Sequence, residues 1–298
     1  MLVASIDIGT NSTRLLIAEL DKTRISTIET RETLTRLGSG RSDTGELSKD
    51  AMHRVLAALR SYMDLIRAHA VSDIRLFATS ATRDAANQQA FLKSIKRQTG
   101  YSCRVLTGEQ EANLSFLGAL SDIDPAGSLW VVDMGGGSTE LIHANAGKIS
   151  CVYSLEMGSQ RFAACIQSDP PCAQDLERIK TLCMQQLEQI KSPPAPDTLL
   201  GLGGTVSSLA MIHKKLPLTD AFQAHHTRLS AVDLAELVTI LSELSVSSRR
   251  SLTGLHPERA GLVLPGAVIM KCIADFFNQT ITVSLRDLLY GIFLQDNS

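Results

Sequence analysis

The stretch VASIDIGTNSTRLLIA at residues 3–18 returns in altered form at residues 129–144 as LWVVDMGGGSTELIHA. Each copy has an apolar strand, an aspartate, a turn with glycine, serine and threonine, and a second apolar strand. The two copies lie almost half the chain apart, whereas solenoid repeats have much shorter periods. This internal repeat predicts two α/β halves of similar construction.

The length and composition of the chain agree with two domains. With 298 residues, of which 44% are hydrophobic, the chain can bury one large core or two ordinary ones, and two are more common at this length. The turn-rich segment SDIDPAGS at 121–128 marks a boundary. We therefore predict domains over residues 1–122 and 123–298, with a last helix at about 285–297 that packs back on the first domain.

Charge and cysteine usage exclude several classes of protein. The net charge is -2, from 29 basic and 31 acidic residues without long runs of either sign, so we expect no nucleic-acid partner and no membrane partner. No apolar run approaches about 18 residues, which predicts a cytoplasmic protein without a signal peptide or a membrane span. The six cysteines lack CxxC or zinc-ligand spacing, so we expect neither disulfides nor zinc.

Apolar periodicity predicts the order of the elements. In the first half it predicts a strand pair over 5–20, a strand near 24–32, a helix over 48–70, a strand over 74–80, a helix to about 99 and a short strand at 104–106. In the second half, beyond the repeat, it predicts helices over about 157–168 and 173–191, a strand at 198–202, and then mostly helix.

The second repeated loop is rich in groups that suit phosphate. Consecutive glycines let a backbone approach a ligand closely, and their N–H groups together with nearby hydroxyls can surround an anion. The predicted phosphate-binding residues are Gly135, Gly136, Gly137, Ser138 and Thr139. The alternative is a plain hairpin with a glycine turn, which the match to the first loop and the flanking acids disfavour.

Acidic residues flank both repeated loops. Asp7 precedes the first loop, and Asp133 and Glu140 enclose the second. Carboxylates are the hard oxygen ligands that hold Mg²⁺ together with water and phosphate. Each of these residues alone is also explained as an ordinary turn acid.

Further candidate phosphate ligands lie outside the second loop. The segment Gly203, Gly204 and Thr205 stands at a strand-to-helix junction, where helix N–H groups favour anions. Tight packing of a helix on a sheet is the alternative there. Arg14 and Arg83 can clamp phosphate through their guanidinium groups, or they can be ordinary surface arginines.

The candidate catalytic residue is Glu111, in the segment TGEQEA at 107–112. Thr107 and Gln110 can form a capping box, so helix initiation alone explains much of this segment. A glutamate beside phosphate loops can instead deprotonate a water molecule that attacks phosphorus.

Taken together, these segments resemble the exopolyphosphatase / guanosine pentaphosphate phosphohydrolase (Ppx/GppA) family, within the superfamily of actin, sugar kinases and Hsp70 ATPases. The resemblance rests on DIGTNSTRLLI, RLGSG, TGELS, FATSATRDA, TGEQEANLSFLGA, VVDMGGGSTEL, GLGGT, HHTRLS and HPERAGLVLPGAVI, in this order. It implies an α/β fold of two actin-like (ribonuclease H-like) domains that face each other across a cleft. It also implies Mg²⁺-dependent, or Mn²⁺-dependent, hydrolysis of a terminal phosphoanhydride.

The resemblance also assigns roles to residues. It implies that Glu111 activates water, that Asp133, Glu140 and Asp7 belong to the metal site, and that Arg83 binds substrate phosphate. It implies that the first loop binds phosphate through Asn11, Ser12 and Thr13. Two positions depart from the family pattern, Gly261 where an aspartate is common and Gln110 where a third acid often occurs.

The implied activity is release of terminal orthophosphate from inorganic polyphosphate by a water that Glu111 activates. Guanosine pentaphosphate is the alternative substrate, because it presents the same terminal anhydride. The rivals are an ATP-using kinase or ATPase and a noncatalytic sensor of polyphosphate or alarmone. Relatives often form homodimers, and longer relatives append a helical region, so we expect this chain to hold long polymers less processively.

Overall fold

The computed structural model describes residues 1–22, 24–39, 45–123 and 127–295. The chain divides into two compact units, one made of residues 1–121 and 286–298, the other of residues 122–285. Each unit is built on one mixed β-sheet with helices. The predicted α/β class is confirmed. Within the described residues, no helix has the length and apolar character that crossing a membrane demands.

The elements are numbered along the chain. The strands are β1 (Leu2–Ile8), β2 (Thr13–Asp21), β3 (Arg24–Thr33), β4 (Asp73–Ala78), β5 (Cys103–Val105), β6 (Ser128–Met134), β7 (Thr139–Asn145), β8 (Lys148–Leu155), β9 (Thr198–Leu202), β10 (Arg228–Leu229) and β11 (Ile281–Val283). The helices are α1 (Lys49–Ala68), α2 (Ser80–Arg83), α3 (Gln88–Thr99), α4 (Gly108–Ala119), α5 (Ser159–Ala163), α6 (Ala173–Leu187), α7 (Gly204–Lys214), α8 (Ala231–Ser242), α9 (Val246–Arg249), α10 (Val263–Phe277) and α11 (Leu288–Leu294).

The repeat seen in the sequence is also a repeat of sheet topology. The first sheet has the order β3-β2-β1-β4-β5, and the second contains the matching order β8-β7-β6-β9-β11, extended by β10. In both, the first three strands are antiparallel neighbours, and the next two run parallel to the central strand. The two repeated loops therefore occupy equivalent places, each at the carboxyl end of a central strand.

Strand β1 is buried on both faces because its alternate residues serve two cores. Ile6 and Ile8 pack in one apolar cluster with residues of α1 and α3. Val3 packs on the opposite face, in a cluster with residues of α4 and α11. On this second face Ser5 donates its hydroxyl to the carbonyl of Leu289 at 2.7 Å. The alternation places Asp7 on the face that α11 covers.

Helices α4 and α11 pack with their backbones in direct contact. A Cβ atom on Gly118 would lie 1.9 Å from the carbonyl oxygen of Asp287, and one on Gly291 would lie 1.9 Å from that of Leu114. Only glycine fits at both positions. The predicted last helix begins at Leu288, later than expected, and its predicted residues 296 and 297 lie outside the described residues.

The sequence patterns missed several local features. The helix predicted over 157–168 is only Ser159–Ala163, because the carboxylate of Asp175 accepts the N–H groups of Gln167, Ser168 and Cys172, which turns the chain away from a helix. The prediction of mostly helix after residue 202 omits β10 and β11. These strands have two and three residues, too few to show a periodicity.

We expect Gly118→Ala to destabilise the protein, because the new methyl group meets backbone that cannot move aside. Overpacking of this kind costs about 2–3 kcal/mol, so the midpoint of thermal unfolding should fall by several degrees. Gly108→Ala, in the same helix, is the control, since nothing lies within 4 Å of its added Cβ. Equal unfolding midpoints for the two variants would contradict the close packing of α4 on α11.

Candidate functional site

The first repeated loop, at residues 9–12, is held by its own backbone and by the segment at 36–38. The N–H of Gly9 donates to the carbonyl of Ser12 at 2.9 Å. The carbonyls of Thr10 and Asn11 accept from the N–H groups of Gly38 and Arg36 at 2.9 and 2.8 Å. The side chains of Asn11 and Ser12 remain partly exposed. These bonds give the loop one backbone conformation, with Asn11 and Ser12 on its surface.

Two of the predicted phosphate ligands, Thr13 and Thr139, occupy the same position of the repeat and are fully buried. The hydroxyl of Thr13 bonds to that of Thr35 at 3.0 Å. The hydroxyl of Thr139 donates to the carbonyl of Met157 at 2.6 Å. Both hydroxyls thus anchor their loops to the interior of their own unit.

Arg14, predicted as a phosphate clamp, binds two carboxylates. Its Nε and Nη2 both donate to Oδ2 of Asp7, at 3.1 and 2.7 Å, and its Nη1 donates to Oδ2 of Asp287. The two carboxylates raise the pKa of Arg14 well above its usual value, although burial alone would lower it. Sequence reasoning missed Asp287, because it lies 273 positions from Arg14 and no local pattern connects the two.

One carboxylate oxygen of Asp7 is suited to bind a ligand. Asp7 is 4% exposed. Burial raises the pKa of the Asp7 carboxyl, while the charge of Arg14 and its hydrogen bonds lower this pKa. Within the described parts of the chain, nothing hydrogen-bonds to Asp7 Oδ1. An unpartnered buried carboxylate oxygen is costly, and a cation or its bound water would satisfy it. Asp7 therefore fits the predicted place in a metal site through Oδ1 alone.

Glu111 lies in the first turn of α4 and forms an ion pair with Arg83. The predicted capping box of Thr107 and Gln110 is present, and Glu111 is not a member of it. Arg83 Nη1 donates to the carbonyl of Leu106 at 2.9 Å and to Glu111 Oε2 at 3.3 Å. The first unit thus brings together two side chains that were predicted separately, a carboxylate and a guanidinium.

The second repeated loop, at residues 135–138, is closed as the first is, by an N–H of Gly135 that donates to the carbonyl of Ser138 at 2.9 Å. The start of α5 takes up the glycine carbonyls. Backbone N–H groups of Ser159 and Gln160 bond to Gly135 and Gly136, and Arg161 Nε donates to the carbonyl of Gly137 at 2.8 Å. These bonds hold the carbonyl oxygens toward α5, where they do not oppose an anion on the loop. Sequence reasoning did not identify Arg161.

The third glycine loop adjoins the second within the same unit. Gly203 has φ +102, and a Cβ there would lie 2.5 Å from the carbonyl oxygen of Met134, the residue that precedes the second loop. Gly204 begins α7, and a Cβ on it would lie 2.2 Å from Nη2 of Arg259. The second unit therefore brings together two glycine loops, a helix N-terminus and the buried residue Arg259, which is 8% exposed. The sequence contained Arg259 only as part of the HPERAG motif.

Asp133 and Glu140 face each other directly across β6 and β7. The equivalent pair in the first unit is Asp7 and Arg14. The repeat therefore pairs opposite charges in one unit and like charges in the other. Like charges directly opposite each other destabilise a sheet, and a divalent cation removes that repulsion. Ser154 donates to Glu140 Oε1 at 2.9 Å, which orients this carboxylate. These residues fit the predicted Mg²⁺ or Mn²⁺.

A second group with metal-ligand chemistry consists of Asp122, His225 and His226. His225 Nδ1 accepts the N–H of Leu285 at 3.1 Å, and Nε2 lies 2.6 Å from Asp122 Oδ2. This pattern assigns the ring proton to Nε2, where it donates to the carboxylate. His225 then joins the first and last residues of the second unit and offers no lone pair to a metal.

Comparison with known proteins gives one consistent family. A model of the Ppx/GppA phosphatase family matches residues 16–297. Exopolyphosphatase 2 of Mycobacterium tuberculosis is 33% identical over 311 residues, which cover 98% of this chain and 97% of that protein. The similarity therefore includes every loop described above.

Solved structures agree with the sequence comparison. The Ppx/GppA family member of Aquifex aeolicus superimposes with a TM-score of 0.86 at 31% identity, covering 100% of this chain and 97% of that one. An exopolyphosphatase from Cytophaga hutchinsonii gives a TM-score of 0.88 at 26% identity, covering 100% and 98% of the two chains.

We expect Glu140→Gln to stabilise the metal-free protein and to weaken its response to Mg²⁺. Removing one of two opposed like charges should gain about 0.2–1 kcal/mol, and it also removes a metal ligand. Thermal unfolding in a chelator and in Mg²⁺ measures both effects. Glu188→Gln, an exposed position at the end of α6, is the control. An unchanged Mg²⁺ response in Glu140→Gln would rule out this pair as the cation site.

Proposed function

Because the chain belongs to the Ppx/GppA phosphatase family, we propose that it is an exopolyphosphatase, which releases terminal orthophosphate from inorganic polyphosphate. The observation that carries the proposal is the pair Asp133 and Glu140, opposed at the base of a glycine loop whose carbonyls α5 holds aside. An acidic pair suits a divalent cation, and backbone N–H groups suit phosphate oxygens. A polyphosphate chain with a bound divalent cation would satisfy both groups.

The second unit would bind the phosphate chain. Asp133 and Glu140 would hold Mg²⁺, or Mn²⁺, and Asp7 Oδ1 is a further proposed metal ligand. When bound, the metal supplies positive charge that neutralises phosphate oxygens. The glycine loops at 135–138 and 203–205 would donate backbone hydrogen bonds to phosphate oxygens. Asn11 and Ser12, on the exposed part of the loop at 9–12, are further proposed phosphate ligands.

Glu111 would act as the general base. Its carboxylate accepts a proton from water as the water oxygen attacks the terminal phosphorus, and the P–O bond to the rest of the polymer breaks. Arg83, 3.3 Å from Glu111 Oε2, would bind oxygens of the phosphoryl group being transferred. Because this transition state is loose and its charge lies on oxygens, positioning and electrostatic stabilisation provide most of the catalysis. No covalent nucleophile is required.

Guanosine pentaphosphate is a second candidate substrate, since its terminal anhydride would meet the same loops. A noncatalytic sensor of either molecule would bind without releasing phosphate, and an ATP-using kinase would require a second substrate. The family resemblance also implies a homodimer, which stays a prediction that sedimentation can check.

We expect Glu111→Gln to lower phosphate release by about 10²-fold or more with substrate binding retained, because the amide keeps the size of the side chain but cannot accept the proton. The assay compares short polyphosphate, long polyphosphate and guanosine pentaphosphate with Mg²⁺. Glu109→Gln is the matched control, since this exposed glutamate lies in the same helical turn.

Three results would change the proposal. Near-normal turnover in Glu111→Gln would remove Glu111 from the role of base. Equal losses in both variants would indicate a general effect on the start of α4. Binding without release by the wild-type protein would favour the sensor.

A further inference from the structure

Arg14 meets Asp7 in an unusual way. An arginine that faces a carboxylate commonly places two N–H groups on its two oxygens. Arg14 instead places both Nε and Nη2 on Oδ2 of Asp7. The other oxygen, Oδ1, is buried and receives no hydrogen bond from the described residues. The ion pair is therefore one-sided, and half of the Asp7 carboxylate remains available.

Asp287 explains the one-sided geometry. The guanidinium is rigid and planar, so a bond at one nitrogen restricts the direction of the others. Nη1 of Arg14 donates to Oδ2 of Asp287. Asp287 thereby holds the guanidinium in an orientation in which only one oxygen of Asp7 accepts its hydrogen bonds.

The position of Asp287 is itself fixed. Its Oδ1 accepts the N–H of Leu289 at 3.0 Å and caps the start of α11. Its backbone carbonyl lies against Gly118 of α4, where no side chain fits. The carboxylate that holds Arg14 is therefore anchored by helix packing as well as by hydrogen bonds.

The charges of this group favour a cation. Asp7 and Asp287 are 4% and 6% exposed, and one guanidinium stands between two carboxylates. Glu32, opposite Arg14 on β3, adds another acid nearby. A buried group with excess negative charge and an unsatisfied oxygen is stabilised by a positive ligand at that oxygen.

We propose that Asp287 is a positioning residue for the metal site: through Arg14 it keeps Oδ1 of Asp7 available to a divalent cation. Without the negative charge of Asp287, the Arg14 guanidinium turns to Asp7 and occupies both of its oxygens. In the wild-type protein, Arg14 orients the carboxylate of Asp7, which differs from its predicted role as a phosphate clamp. The inference rests on the proposed function only in taking Asp7 as part of the metal site.

The test is cation binding by Asp287→Asn in the absence of substrate. Asparagine is as good a helix N-cap as aspartate, so the substitution removes the charge while α11 still begins as before. We expect the apparent dissociation constant for Mn²⁺, measured from the paramagnetic resonance signal of the unbound ion, to rise by about 10-fold or more. Asp287→Glu restores the charge and should recover part of the affinity.

Two controls separate positioning from general damage. Asp73→Asn removes another carboxylate of the first unit that pairs with an arginine, Arg75 at 3.0 Å, and should leave Mn²⁺ binding unchanged. In the double variant with Asp7→Asn, the change at Asp287 should have no additional effect, because Asp287 acts through Asp7. The inference is overturned by unchanged binding in Asp287→Asn, by an equal loss in Asp73→Asn, or by losses that add in the double variant.

The outcome also separates this inference from the proposed function. Phosphate release by the wild-type protein together with unchanged Mn²⁺ binding in Asp287→Asn overturns the positioning role alone. Weakened Mn²⁺ binding in Asp287→Asn, with no release from any substrate by the wild-type protein, overturns the proposed function alone.

Discussion

The register of the first hairpin in each sheet constrains everything else at the two loops. Side chains along a strand alternate between faces. A register shift of one residue would therefore place Asp7 in the apolar cluster that contains residues of α1 and α3, and would remove Ile6 and Ile8 from that cluster. The hydrophobic clusters on both faces of β1 exclude that shift. The direction in which the acid points is therefore set by the apolar residues beside it.

The same register supports different electrostatics in the two units. The position that faces the aspartate is Arg14 in one hairpin and Glu140 in the other. One difference in charge at an otherwise equivalent position gives an Asp–Arg ion pair in the first hairpin and an acidic pair in the second. The backbone bond that closes each loop, from glycine N–H to serine carbonyl, is unchanged. The two hairpins therefore share their backbone geometry and differ in their charges.

Features encoded within a short stretch of sequence could be predicted, and features that join distant stretches could not. The repeat, the glycine turns and the capping box of Thr107 and Gln110 each lie within a few residues, and the structure contains them. The partner of Arg14 at Asp287, and the approach of Arg259 to Gly204, depend on packing between elements far apart in the chain. Propensity and periodicity describe neighbours along the chain and carry no information on contacts between distant residues.

The first unit is discontinuous, since α11 returns to it after residues 122–285 have formed the second. During synthesis its sheet can assemble early, yet one face lacks α11, and Arg14 lacks one of its two carboxylates, until α11 leaves the ribosome. Closing so long a loop is entropically unfavourable unless the intervening chain has already become compact. Folding of the second unit would bring the two ends of residues 122–285 closer together, so the path of the chain favours completion of the first unit after the second unit has folded.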